Sequence, residues 1–426
     1  MPAMSSPAVE FLGMDRVTVY TPGGPAGQVQ VYHFVATATG ETVVTLRSAE
    51  GKPVVQDTIN VQATVPHGAF AQVSTGFFLN TCALTTRGVG HCWGFTGTGF
   101  ADSGGDQAKP IYSAPTPVAG GLSFAAISVG GFHTCGVTGD GAAYCWGDNF
   151  NGQLGDGSAG ASAAPVPVIG GLSFRALSAG VYHTCGLTTA GTIYCWGNNH
   201  AGQLGNGALS YTNSSPMLVS GGLSFVAVGA GHEYSCGLTT NGAAYCWGDN
   251  DYGELGTGDS ATSAVPVPVT GGVSFAALSV GYFHACGLTH DGAAYCWGGN
   301  FTGELGNGTT GESTRPVPVT GGLTFASISA GQWATCGVTT DGTAYCWGYN
   351  GYGQLGNAAA QFTLDPNPRP LPVSGGLTFA TVSTGYLHTC GVTTLDAVYC
   401  WGDNSEGELG DGSTTIHPTP VRVFGP

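Results

Sequence analysis

Residues 281 to 298 read GYFHACGLTHDGAAYCWG, and close variants stand at 130–147, 180–197, 231–248, 331–348 and 385–402, with a worn copy at 76–94. Each of the seven copies carries two cysteines ten positions apart: Cys82/Cys92, Cys135/Cys145, Cys185/Cys195, Cys236/Cys246, Cys286/Cys296, Cys336/Cys346 and Cys390/Cys400. All 14 cysteines are used in this way. The stretch predicts a β-hairpin: Thr-Cys-Gly-(Val/Leu)-Thr, a turn such as Thr340-Asp341-Gly342, then an alternating strand ending Tyr-Cys-Trp-Gly. A three-residue loop with glycine in the left-handed position is a common hairpin closure. With Asp341 at the centre, Thr339 opposes Thr343, Gly337 opposes Tyr345, and Cys336 opposes Cys346. Directly opposed β-carbons lie about 4.5 to 5.5 Å apart, within modest adjustment of a disulfide. The same register sets Trp347 across from Thr335, so aromatics take one face of the hairpin and sulfurs the other.

A period near fifty residues overrides any domain count based on 426 residues. First cysteines are spaced by 53, 50, 51, 50, 50 and 54 residues. With 75 glycines, 23 prolines and only 8% charged residues, the composition points to short strands and tight turns. No apolar run approaches the roughly 18 residues of a membrane span. The formal charge is −16, and Lys52 and Lys109 are the only lysines, which argues against nucleic-acid binding.

Evenly paired cysteines favour disulfides and an oxidising compartment over buried free thiols. The start, MPAMSSPAVEFLG, lacks a basic stretch followed by an apolar core. An extracellular or cell-surface reading therefore expects a leader already removed or lying outside this sequence.

Residues 1–66 contain no cysteine or tryptophan. They show alternating runs at 16–20, 28–38, 41–50 and 53–65, which predict a small β-sandwich-like segment. From 67 to 426 each repeat has an S/T-F-x-x-(Val/Ile/Leu) strand, the cysteine hairpin, the turn W-G-x-N-x-x-G-(Gln/Glu)-L-G, and P-x-P-V. Because P-x-P-V leads through Gly-Gly directly into the next phenylalanine strand, the expected blade is P-x-P-V, that strand and the hairpin. The last P-x-P-V strand, Pro418 to Val421, would then complete the first blade. The expectation is an all-β, seven-bladed propeller closed by its C-terminal strand.

The pattern G-x-x-H-T-C-G-(Val/Leu)-T-x-x-G-x-x-Y-C-W-G-x-N-x-x-G-(Gln/Glu)-L-G with P-x-P-V resembles the regulator of chromosome condensation repeat. The resemblance covers about 360 residues and implies a seven-bladed β-propeller. Paired cysteines depart from the eukaryotic members and resemble a secreted bacterial variant. The N-terminal strands resemble, more weakly, part of a bacterial immunoglobulin-like domain.

Two positions before the first cysteine stand His133, His183, His284 and His388. Four such residues could face a common channel and hold a metal, but repetition marks them as packing and hydrogen-bonding residues. The turn Asp249, Asp251, Glu254 has the spacing flavour of a calcium loop, yet its glycines explain the turn without an ion, and no metal or cofactor is expected. Seven tryptophans, one per repeat, are core. A light-sensing member of the family clusters tryptophans with arginines, a pattern absent here. Trp333 stands outside the repeat pattern and is the candidate binding residue. Sequons occur at Asn213, Asn300 and Asn307. No catalytic motif is present, and residues repeated seven times are framework, so no enzyme is expected.

The leading functional expectation is a secreted or cell-surface scaffold that binds a protein or glycan through the variable loops 95–114, 157–164, 207–215 and 357–369. Enzyme inhibition, which the resemblance to a secreted inhibitor of a β-lactamase implies, is a narrower form of it. The alternatives are guanine-nucleotide exchange on a small GTPase, the family's best-known activity, a structural subunit self-assembling through the N-terminal segment, and an enzyme with an axial site.

Overall fold

The computed structural model describes residues 69–95, 111–358 and 365–425, and before them the backbone of five strands. The chain divides into two units, Met1–His67 and Gly68–Pro426. In the first unit the strands are Ala3–Met4, Val9–Asp15, Val31–Ala36, Gly40–Arg47 and Pro53–Val61. The first, fourth and fifth form one antiparallel sheet, and the second and third form another. The run expected as a strand at 16–20 lies outside the described residues.

The second unit is seven four-stranded antiparallel sheets. The fifth blade shows the plan: Phe275–Val280, His284–Thr289, Ala294–Gly298 and Ser313–Pro318, hydrogen-bonded in that order. Successive phenylalanine strands neighbour one another around the ring, so they form its inner wall. The hairpin register is the one read from sequence: Thr335 opposes Trp347, Cys336 opposes Cys346 and Gly337 opposes Tyr345. Thr339 N–H donates to Thr343 O at 2.9 Å, and Gly342 takes φ +87°.

One expectation is corrected. P-x-P-V does not join the phenylalanine strand that follows it; it pairs back onto the hairpin strand before it, as in Cys296 opposite Val317. The prolines give the reason. A residue without N–H is tolerated at a sheet edge, and P-x-P-V is that outer edge. Gly271 and Gly272, at φ +100° and +68°, then carry the chain from the outer edge of one blade to the inner strand of the next. The C-terminal strand His417–Arg422 accordingly completes the seventh blade, with Cys400 opposite Val421, and not the first.

All seven cysteine pairs are disulfide-bonded as the hairpin register predicts, and no described cysteine is free. The bonds are Cys82–Cys92, Cys135–Cys145, Cys185–Cys195, Cys236–Cys246, Cys286–Cys296, Cys336–Cys346 and Cys390–Cys400. The core lies between blades. Except in the fifth blade, sulfurs of one blade share a buried cluster with the tryptophan and phenylalanine of the next: Cys135 and Cys145 with Trp196 and Phe174, Cys185 and Cys195 with Trp247 and Phe225. Cys236 and Cys246 pack in the same way with Trp297 and Phe275, and Cys336 and Cys346 with Trp401 and Phe379. In the first blade Cys82 is buried beside Trp146 and Phe124, whereas Cys92 is only partly covered. Cys390 and Cys400 meet Trp93 and Phe70, joining the seventh blade to the first.

A repeated polar joint pins six of the interfaces, and five of those six carry its hydroxyl as well. The backbone carbonyl of the turn's Gln or Glu accepts from the next blade's tryptophan Nε1–H, as Gln203 O from Trp247 at 2.9 Å. It also accepts from that blade's hydroxyl, as Gln203 O from Ser235 at 3.0 Å. Gly205, at φ +66°, makes the approach possible, because a β-carbon there would lie 2.7 Å from Trp247 Nε1. Inner strands are stitched by serines: Ala179, Ala230, Ala330 and Thr384 N–H donate to Ser128, Ser178, Ser279 and Ser329 Oγ. Thr75 N–H donates to Ser383 Oγ at 3.0 Å, closing the ring by the same bond.

Candidate functional site

Chain direction sorts the loops onto two ends of the propeller. At one end lie the hairpin turns and the Gly-Gly connectors. At the other lie the G-x-x-H segments and the turns that lead to the outer strands, which include the variable loops 157–164 and 207–215. Residues 96–110 and 359–364 of the other two loops lie outside the described residues.

At this second end the two residues after the G-x-x-H glycine project an aromatic belt around the axis. Phe78 stacks on Phe132 at 4.4 Å, Phe132 on Tyr182 at 5.7 Å, and His232 on Tyr282 at 4.2 Å. The first repeat carries one residue more between Gly76 and Asn80 than the others do at this bend. Its Phe77 reaches Tyr282 of the fifth blade at 6.0 Å, so rings meet across the channel mouth. Aromatic rings thus meet across this end of the ring.

The belt widens over blades four to six. Trp333 lies 5.9 Å from both Phe283 and Phe301, and Tyr252 lies 5.3 Å from Phe283 and 5.0 Å from Phe301. Trp333 is therefore half-buried within a platform instead of standing alone on a loop, while Phe301 is exposed. Beside the platform, Glu233 Oε1 lies 3.2 Å from His200 Nε2 and 3.9 Å from His232 Nε2. Burial pushes the Glu233 carboxyl up from its usual range, and nearby Asp249 and Asp251 push in the same direction. Burial holds His232 down to about 4. Glu233 and His232 were not singled out from sequence. The signal for them was a break in the repeat, His232-Glu233-Tyr234 where neighbouring blades carry an aromatic before histidine.

The four framework histidines form no metal centre. His133, His183, His284 and His388 are fully buried, each with Nε2 2.7–2.8 Å from a hydroxyl of the next blade: Thr184, Ser235, Thr335 and Thr81. Each of those hydroxyls already gives its proton to a carbonyl, so the histidine must donate from Nε2 and is neutral. Burial holds all four down to about 3. Where Tyr234 replaces histidine, Ala285 replaces the hydroxyl, and the phenol donates to His284 O at 2.6 Å. The cysteines add no ligands, because Cys92, Cys145, Cys246 and their counterparts are held in hairpin disulfides and offer no thiolate.

Glu254 is framework as well. Its Oε2 accepts from Tyr252 N–H at 2.9 Å, as Gln203 Oε1 accepts from Ala201 N–H in the preceding turn. Burial pushes Glu254 up to about 8. No group of three or more histidines, cysteines or acids among the described residues is arranged to hold a metal ion. The Asn300 sequon is closed, since that side chain is buried with Nδ2 donating to Thr309 O and Gly311 O. A shallow cleft of about 540 Å³ between the first two blades, at the hairpin-turn end, is lined by Gln72, Thr85, Arg87 and Ser123 and brings together no acid or imidazole.

A family model described as the RCC1-like domain matches residues 37–374, and models of the regulator of chromosome condensation (RCC1) repeat match 379–408 and 396–426. The chain belongs to the RCC1-like domain family. Its propeller nevertheless begins at Gly68, so the first thirty or so matched residues belong to the other unit. Among curated relatives, a 44-residue stretch is 46% identical to the human E3 ubiquitin-protein ligase HERC2, spanning 10% of this chain and 1% of that protein. Among solved structures, human WBSCR16 matches with a TM-score of 0.70 at 20% identity, over 78% of this chain and 93% of that one. Prp20p of Saccharomyces cerevisiae, studied for its binding to Gsp1p and histones, matches at 0.69 and 20%, over 80% and 87%. The ectodomain of the Physcomitrella patens receptor kinase CR4 matches at 0.52 and 23%, over 78% and 73%. At such identities an RCC1-like likeness establishes fold, and function must be argued from the site.

Proposed function

We propose that this RCC1-like propeller is a non-catalytic protein-binding module of the extracellular space or cell surface, and that its partner docks on the aromatic end of the ring. The observation that carries the reading is the platform of Phe283, Phe301, Trp333 and Tyr252, set at the same end as the variable loops. Aromatic residues supply large, rigid contact area and concentrate binding energy at interfaces. Seven disulfides favour an oxidising compartment. A receptor-kinase ectodomain of the same fold is in keeping with that setting. Guanine-nucleotide exchange ranks below this reading, because it belongs to reducing compartments where such bonds do not persist. Enzyme inhibition is a narrower form of the same docking.

The test uses three baits on native cell-surface extract: the full chain, a Phe301→Ser/Trp333→Ser variant, and an Asp341→Asn variant at the opposite end. A partner held by the first and third baits and lost by the second supports the reading. Equal capture by all three overturns it.

A further inference from the structure

Glu233 is the one acid in the aromatic belt. The corresponding position in neighbouring blades holds Phe132, Tyr182, Phe283, Trp333 or Leu387. A half-buried carboxylate needs a counter-charge, and the groups around Glu233 do not supply a permanent one. Its nearest partner is an imidazole, His200 Nε2 at 3.2 Å, which opposes the upward push of burial without carrying a fixed charge; His232 is held neutral by burial, and Asp249 and Asp251 carry the same sign as Glu233. The turns that form this end contain no lysine or arginine among the described residues. Of the described arginines, Arg87 lies in a hairpin turn and Arg175 on an inner strand with its Nη2 on Phe225 O, Arg315 and Arg369 on outer strands rest their guanidiniums against Gly258 and Gly308, and Arg422 lies on the last outer strand.

Tyr182 and Tyr282 lie close enough to Glu233 for its charge to add to burial in raising both phenols. His232 and Tyr282 stack with planes 13° apart, and Tyr182 and Phe283 stand 6.1 and 5.8 Å from the His232 ring. Two rings on its rim are almost fully in solvent, Phe150 at 78% and Tyr211 at 79% exposure, with Tyr211 stacked over His200. An Asn198 Nδ2 to Asn151 Oδ1 bond at 3.1 Å links the turn that carries Phe150 to the strand end next to His200.

We propose that the recess centred on Glu233 seats the guanidinium or ammonium of a basic segment of the protein partner, paired with the carboxylate and flanked by the rings of His232, Tyr282 and Tyr182. Charge complementarity selects this occupant: a cation both pairs with the carboxylate and is attracted to aromatic faces. The proposal rests on the docking end assigned above and adds its chemistry.

Fluorescence anisotropy with the full, disulfide-bonded chain tests it, using two labelled peptides of Arg-Gly-Leu repeats, one with every arginine replaced by citrulline. The arginine peptide should bind at least tenfold tighter than its citrulline counterpart. Glu233→Gln, which keeps the shape and the His200 contact, should weaken it tenfold or more. Asp341→Asn removes the same charge at the far end, where the fourth blade naturally carries Asn241, and should change affinity less than twofold. Equal binding of the two peptides, equal effects of the two substitutions, or no binding of the arginine peptide overturns the assignment. If it falls while the Phe301/Trp333 variant still loses the captured partner, the docking end stands and only its charge chemistry is wrong.

Discussion

His388 Nε2 lies 2.7 Å from Thr81 Oγ1, although 307 residues separate them. The Thr81 hydroxyl donates to Glu408 O at 3.0 Å, and Trp93 Nε1 donates to the same carbonyl at 2.8 Å. The seventh and first blades are thus held by the joint used between consecutive blades, and ring closure needs no exchanged strand. Thr81→Val removes that joint's hydroxyl and leaves a buried imidazole N–H without an acceptor. An unsatisfied buried donor costs about 1–3 kcal/mol. Equilibrium denaturation should show a loss of that size, matched by Thr335→Val at an internal interface.

Stability should be greatest near neutral pH and fall on either side. The unfolded chain protonates each framework histidine near 6.5 but the folded chain only near 3, so their contribution is complete above 6.5 and is lost as pH falls. Glu254 and Glu408 behave oppositely. Burial pushes them from 4.5 to about 8, so their contribution is complete below 4.5 and is lost as pH rises towards 8. His232, also held down by burial, joins the framework histidines below 6.5, and Glu304 and Glu233, also pushed up by burial, act in the same direction as Glu254 and Glu408 on the alkaline side. Denaturation between pH 4 and 9 checks the profile, and Glu254→Gln/Glu408→Gln should flatten its alkaline limb and steepen the limb between 4.5 and 6.5, where the glutamates oppose the histidines.

The disulfides should be present in the protein as isolated. Mass spectrometry under non-reducing conditions should find no reactive thiol, and fourteen would remove the basis for an extracellular setting. Replacing Cys286 and Cys296 together by alanine should cost at most about 2–3 kcal/mol, the loop-closure value for a link of this length, since the hairpin is already local.

Tyr234 and Ala285 should prove to be an exchanged pair. Tyr234→His alone leaves an imidazole N–H facing a methyl group, and Ala285→Thr alone crowds a hydroxyl against the phenol. Together they rebuild the joint found at His284 and Thr335. A double-mutant cycle should give a favourable coupling of about 0.5–3 kcal/mol, and strict additivity would show that the two side chains do not share the interface as described.

The hairpins were readable from sequence because their partners are ten residues apart and a turn fixes the register, which is why Cys336 opposite Cys346 follows from the spacing alone. The outer strand was misplaced for the opposite reason. Val317 is much nearer in sequence to Phe325 than to Cys296, and proximity favoured the wrong neighbour, although the prolines of P-x-P-V already marked an edge. The aromatic end was invisible because Phe77 and Tyr282 meet only after all the intervening blades are in place. Glu233 could have been noticed, since it departs from the repeat as plainly as Trp333 does, but a search for recurring residues passes over a residue that occurs once.

The contiguity of each sheet bears on how such a chain grows. Every blade is finished within one run of about fifty residues, from its phenylalanine strand to its prolines. A nascent chain can therefore complete its first blade before its last is synthesised, and a duplicated gene segment beginning at Gly-Gly adds a whole wedge without orphaning a strand elsewhere. The limit on copy number is then geometric: a further wedge is admissible only while the terminal blades can still meet through the bonds and the sulfur–aromatic cluster that join them here.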